Sequence, residues 1–282
     1  MRIKMYYSPI NNMGDDLNRL IMEDVFNQEL DPNFRVDNFD VMGIGSCLDV
    51  CFYGHKKENS IKLIGKKISS QFFGAGHIWG TGFIDEYPFE QMKLIRNELR
   101  FDVVRGELTR RGISQILGYN LEVPLADGGL LAPKLLKDKL ITKSKMIGIV
   151  PHYKDKNEAD VLKLQKMLGR EALLIDVQGD TLNVIEQIAS CDYIISSSLH
   201  GLIVADSFGI PNTRIKFSNN MLGTGFKFDD YYSSFGMVKP AVSITDGLFN
   251  QEQVVFADVL EKQAILMTSM REIIESKGVV SE

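Results

Sequence analysis

Proline, cysteine and any large excess of one charge are scarce in this chain, and each scarcity removes a class of protein. Eight prolines in 282 residues, with 44% hydrophobic and 24% charged residues, exclude a collagen-like, low-complexity or disordered chain. Cys47, Cys51 and Cys191 form an odd set without a paired CxxC, which fits free thiols in a reducing compartment. Cys47 and Cys51 could stand one helical turn apart, but no nearby His or Cys completes a tetrahedral ligand set, so no metal is expected. The 32 Lys and Arg against 37 Asp and Glu leave a net charge of -5, with no global positive field for nucleic acid. Any anionic ligand must therefore be held by local cations. No apolar run approaches the roughly 18 residues that cross a bilayer, and MRIKMYYSPINNMGDDL turns polar before a signal-peptide apolar region forms. A cytoplasmic protein is the expectation.

What the chain does have is alternation. Its length is about twice a typical domain of roughly 150 residues, and short β-type runs alternate with helical patterns along most of it. In the first half the patterns predict strands at 3–7, 41–44, 71–73 and 101–104, and helices at 15–30 and 107–117. The loop LADGGLLAP at 125–133 concentrates glycine and proline, which places a domain junction between about 127 and 142. An N-terminal α/β domain over 1–133 and a C-terminal one over 134–282 follow. The second half predicts strands at 146–150, 172–176, 193–196 and 212–215, and helices at 159–168, 182–188 and 199–208. A long amphipathic helix at 252–276 places Val255, Leu260, Ile265, Leu266 and Ile273 on one face. The fold class read from this is α/β, with two doubly wound, Rossmann-like domains facing each other across a cleft.

In open α/β sheets ligands bind beyond the carboxyl ends of strands, so the loops there are where chemistry is sought. They are NNMGDD (11–16), GIGS (43–46), GAGHIWG (74–80), VRGELT (104–109) and SSSLHG (196–201). Gly43 with Gly45, and Gly74 with Gly76, either admit a ligand to the backbone or simply make tight turns. Neither pair completes a GxGxxG fingerprint, and no GxxxxGK[ST] loop is present. Residues 191–215 are the most informative. A buried strand runs into Ser196, Ser197 and Ser198, one of which caps the next helix, while that helix's first turn offers unpaired N–H groups and positive dipole to an anion. His200 lies in this turn, where it either binds an anion and moves a proton or packs beneath a loop. Gly201 leaves room for close approach. His77 and His152, each in a turn after a strand, are further candidates, and His55 beside Lys56 and Lys57 reads as solvated surface.

The segment SSSLHGLIVADSFGIP resembles the hallmark S-x-x-LHG-x-x-x-A-x-x-x-G-x-P of the polysaccharide pyruvyl transferase family. Asn12-Met13-Gly14-Asp15, Val104-Arg105-Gly106 and Asp127-Gly128-Gly129-Leu130-Leu131 follow that family's order, and IGIVPHYKD at 147–155 is similar to its strand-to-PH element. The resemblance implies a cleft enzyme of GT-B-like fold. It would move the three-carbon unit of phosphoenolpyruvate onto a sugar, in a polysaccharide or lipid-linked oligosaccharide, as a ketal. Phosphoenolpyruvate would be the donor substrate, with no metal or other cofactor. The site residues so implied are His200 and Arg105 as catalytic groups, with Ser197, Ser198, Leu199, Gly201, Asn12, Asp15, His152, Gly76 and His77 binding substrate.

The donor carries about two to three negative charges, more than one helix end of about half a charge balances, so arginine should assist. Arg105 is expected to reach across the cleft, its alternative being a surface salt bridge. Several family members carry arginine where this chain has Ser198, and Lys66, Arg110, Arg111, Arg214 and Lys216 are candidates to replace it. Phe226, Phe228, Tyr231, Tyr232 and Phe235 form either an acceptor platform or loop packing. The C-terminal helix either packs back across the two domains or touches the inner face of the membrane, where lipid-linked acceptors lie. The rival reading is a sugar-nucleotide glycosyltransferase of GT-B type, with Asp206 standing where a ribose-contacting glutamate is usual.

Overall fold

Strand and helix alternate through the first half as β1 (Ile3–Tyr6), α1 (Met13–Leu20), β2 (Leu30–Pro32), β3 (Val41–Met42), β4 (Phe52–Tyr53), α2 (Ser60–Ser70), β5 (Gly76–Thr81), β6 (Lys93–Leu94), β7 (Leu99–Val104) and α3 (Glu107–Leu117). The short α4 (Ala132–Leu135) leads to β8 (Ile147–Val150), α5 (Ala159–Leu168), β9 (Ala172–Leu174), α6 (Thr181–Ser190), β10 (Tyr193–Ser196), α7 (Leu199–Ser207), β11 (Asn212–Arg214), α8 (Phe226–Ser233) and α9 (Phe256–Ser276). This is a computed structural model, and it describes residues 2–278 apart from 9, 33–34, 55–59, 72, 97, 138, 145 and 219–224. His55, Lys56 and Lys57 lie outside the described residues.

Parallel pairing in the order β2-β1-β3-β5-β7 builds a five-stranded sheet, and β11-β10-β8-β9 builds a four-stranded one. The α/β class is thus met by two parallel sheets. Neither described residue of the strand expected at 71–73, Gln71 and Phe73, is in a strand: α2 ends at Ser70, and the strand comes later, at β5. GAGHIWG is therefore largely strand rather than loop, and all six residues of β5 are buried, as a central parallel strand requires. Its glycines misled because they serve packing. A Cβ on Gly76 would lie 2.6 Å from the Arg96 guanidinium, and Gly80, at φ 71°, lets the Gly128 backbone approach where a Cβ would stand 2.6 Å from it.

One apolar cluster runs from α1 (Met13, Leu17) and β5 (Trp79) through Leu130 to β8 (Val150), α7 (Ile203) and α9 (Met270). Within LADGGLLAP, Asp127 and the Gly128–Leu131 turn are buried in this core, whereas Lys139, Leu140 and Thr142 beyond it are exposed. The helix α9 packs back over both halves: Trp79 Nε1 donates to the Leu266 carbonyl at 3.3 Å, and Gln263 Nε2 donates to the Leu130 carbonyl at 2.9 Å and to the Ser207 carbonyl at 3.3 Å. Its buried face is Val259, Gln263, Leu266, Met270, Ile273 and Ile274, while Val255 and Leu260 are exposed, so the expected face is rotated. No described helix is long and apolar enough to cross a membrane.

Candidate active site

The topology decides where the site lies. In the first sheet the winding reverses between β1 and β3, and in the second between β8 and β10. Such switch points open a crevice beyond the strand carboxyl ends. One pocket of about 130 Å³ is lined from both crevices: Ser8 and Asn12 follow β1, Gly45 and Ser46 follow β3, His152 and Tyr153 follow β8, and Ser198, Leu199 and His200 follow β10. Asp15 of α1 and Lys227 of α8 complete its charged lining.

The second-half wall is built by serines. Ser196 Oγ donates to the Val150 carbonyl at 2.8 Å and accepts from Ser198 N–H at 2.9 Å, folding the chain back at the end of β10. Ser197 Oγ donates to Asp155 at 2.7 Å and accepts from His152 N–H at 2.9 Å, clamping the loop after β8. Ser198 then caps α7 by accepting from Gly201 N–H at 3.5 Å. His200 follows, half-buried, and its buried Nε2 has no hydrogen-bond partner among the described residues. The ring rests on α1, because a Cβ at Gly14 would stand 2.0 Å from His200 Nδ1. Only glycine fits there. Burial first, then the positive charges of Lys227 and Arg105, lower the His200 pKa to about 3, so the imidazole is neutral.

On the opposite wall Asn12 caps α1 by accepting from Asp15 N–H at 3.2 Å, and its Nδ2 donates to Asp15 Oδ2 at 2.6 Å. Burial raises the Asp15 carboxyl to about 6, against the lowering effect of the Asn12 hydrogen bond and of Lys227. His152 Nδ1 accepts from Lys154 N–H at 3.3 Å, which leaves the proton of the neutral ring on Nε2. Burial and Lys227 lower its pKa to about 4.

Lys227 is the cation that sequence reasoning missed. It sits in the first turn of α8, and among the described residues it has no hydrogen-bond or salt-bridge partner, its nearest ring contact being Phe228 at 5.4 Å. Burial, then Arg105, pushes its pKa down to about 8. The missing signal was α8 itself, hidden in a run of aromatics. Phe226, Phe228, Tyr231 and Tyr232 are buried helix residues, so they form no open acceptor platform. Lys66 and Lys216 are exposed, while Arg110, Arg111 and Arg214 are engaged with Glu107, Glu122 and Asp229. None of these five lines the pocket.

Arg105 requires correction. It is fully buried, and its fork donates to Asp230 at 2.8 Å, Ser46 at 2.6 Å and the Phe83 carbonyl at 2.5 Å. It does cross to the second half, but onto α8 rather than into the pocket. Thr109 N–H and Oγ1 reach the same Asp230, each at 2.7 Å, and a Cβ on Gly106 would stand 1.7 Å from the Asp230 carbonyl oxygen. VRG is thus the seat of α8, and α8 presents Lys227.

Other residues are also redirected. Ser197 and Gly201 do not line the pocket; the close approach at Gly201 is to Ser196 Oγ and Val150, where a Cβ would stand 2.5 and 2.8 Å away. Gly76 and His77 lie at the amino end of β5, opposite the crevice, and His77 Nδ1 contacts Asp102 at 2.9 Å. Asn12, Asp15, His152, Ser198, Leu199 and His200 are brought together in the pocket.

The chain is 33% identical over 163 residues, 57% of its length, to an uncharacterized protein of Acanthamoeba polyphaga mimivirus. It is 25% identical over 241 residues, 83% of its length, to the succinoglycan biosynthesis protein ExoV of Rhizobium meliloti. The matches span 55% and 66% of those two relatives, respectively. The family model for polysaccharide pyruvyl transferase matches residues 12–219, and the chain belongs to the polysaccharide pyruvyl transferase family.

Proposed function

We propose that this protein transfers the pyruvyl unit of phosphoenolpyruvate to two hydroxyls of one sugar, forming a ketal on a polysaccharide or its lipid-linked precursor. The observation that carries this reading is Lys227, without a hydrogen-bond or salt-bridge partner among the described residues, facing the capped first turn of α7 across one small pocket. A compact dianion is what a half-buried lysine and a helix N-terminus hold together. The two crevices meeting at that pocket also suit a GT-B-like cleft. In the reaction a sugar hydroxyl oxygen bonds to C2 of the donor while the methylene carbon gains a proton, becoming methyl. Phosphate then leaves with the C–O bonding pair, and the second hydroxyl oxygen bonds to C2. Of the two hydroxyl protons, one ends on carbon and the other on phosphate.

Neutral His200 is suited to receive the first hydroxyl proton, and the phosphate beside it stabilises the resulting imidazolium, which returns the proton. Asp15 is suited to receive the second. The reading uses no metal or nucleotide, and a lipid-linked acceptor would place the work at the inner face of the membrane. Asp206 weakens the glycosyltransferase rival, because its carboxylate is buried and accepts from Asn212 at 2.6 Å and Tyr231 at 3.0 Å instead of facing the pocket. Mass spectrometry of p-nitrophenyl hexosides incubated with protein and phosphoenolpyruvate tests the proposal. A pyruvyl ketal with matching phosphate release is expected; turnover of a sugar nucleotide in its place would replace this reading.

A further inference from the structure

A second cavity, of about 420 Å³, adjoins the first and shares Ser8, Ile10, Asn12 and Asp15 with it. It adds Asn11 and Asp16 from the α1 side and Gly179, Asp180 and Thr181 from the turn before α6. The two walls are tied together: Met13 N–H donates to the Val177 carbonyl at 2.7 Å, and Gln178 Nε2 to the Asn11 carbonyl at 3.3 Å. The groove is therefore a fixed feature of the fold.

Its chemistry is the inverse of the pocket's. No lysine or arginine lines it, and the fork of Arg19 lies on Asp16 at 3.0 and 3.2 Å without entering the lining. Amide and hydroxyl groups alternate with the carboxylates of Asp15, Asp16 and Asp180. Hydroxyl-rich ligands satisfy such acceptors by donating to them, whereas a second carboxylate is repelled. We infer that this groove is the acceptor subsite, that it takes a neutral pyranoside in preference to a uronide, and that Asp15, common to both cavities, marks where acceptor hydroxyl and donor carbon meet. The inference rests on the pyruvyl-transfer reading.

Two blocking variants test it. Gly179→Trp sits on an exposed turn of ordinary φ, where a Cβ would meet only the Asp176 carbonyl oxygen at 3.2 Å and a Val184 methyl at 3.4 Å. Asn11→Trp blocks the other wall from an exposed position and guards against misfolding of the first variant. Each should raise KM for a p-nitrophenyl hexoside about tenfold or more, with phosphoenolpyruvate Kd and Tm unchanged. Asp180→Asn keeps the side-chain oxygen that caps Asn183 N–H at 2.9 Å, and it should reduce the preference for glucoside over glucuronide by about threefold or more. Unchanged acceptor KM in both blocking variants, or an unchanged glucoside-to-glucuronide ratio, would overturn the assignment. Failure of the wild-type protein to bind phosphoenolpyruvate would instead defeat the pyruvyl-transfer reading itself.

Discussion

Lys227 occupies a position that works against stability. A cation in the first turn of a helix opposes the macrodipole, and burial brings its pKa down to about 8, with no salt-bridge partner among the described residues to compensate. An anionic ligand removes both penalties. Lys227→Met should therefore weaken phosphoenolpyruvate binding about tenfold or more in calorimetry. The binding form is the protonated lysine, so kcat/KM should fall as pH rises through about 8, and Lys227→Arg should move that limb upward because guanidinium stays charged. An unmoved limb would take Lys227 out of the pH profile. For His200, His200→Asn should lower kcat by about 10²- to 10⁴-fold with little change in circular dichroism. Its folded pKa of about 3 lies below the unfolded value of 6.5, so the unfolded chain binds more protons in between, and wild-type stability falls as pH drops through that window. The variant lacks this loss. Relative to wild type it should gain roughly 1–2 kcal/mol between pH 7 and pH 5 in denaturant melts. Gly14→Ala should displace the imidazole and mimic the loss of turnover, since the added methyl meets His200 Nδ1.

The helix α8 and its seat make the argument at the level of elements. Arg105→Lys loses the fork that joins Asp230, Ser46 and the Phe83 carbonyl, so it should destabilise by about 1–3 kcal/mol, seen as a lower Tm, because buried acceptors lose the guanidinium donors while Asp230 keeps only those of Thr109. A donor-affinity loss at unchanged Tm would instead restore the sequence expectation for Arg105. The pairing itself was not legible in the sequence: VRG shows a cation at a strand end, and nothing in linear order tells that Asp230, 125 residues away, pairs with it. Elements with strong periodicity were legible. Helices α3 and α5 and strand β10 fall at their predicted bounds, and Ser198 and His200 fall at the start of α7. The strand β5 was hidden by glycines whose space is taken by neighbours, and α8 by aromatics that serve the core. The face of α9 was misplaced because Val255 and Leu260 are apolar yet exposed.

At the scale of the whole molecule, two parallel sheets turn their switch points toward each other, and α9 ties the halves together over a shared core. That arrangement joins a pocket that holds Lys227 to a groove lined by carboxylates, the two sharing Asp15. The central claim is that the pocket holds phosphoenolpyruvate, and calorimetric titration of the protein with phosphoenolpyruvate in chelator, beside a UDP-sugar titration, tests it most directly. The account predicts saturable binding of phosphoenolpyruvate, lost in Lys227→Met, and no heat from the UDP-sugar. Binding of the UDP-sugar alone, or phosphoenolpyruvate binding indifferent to Lys227, would contradict it.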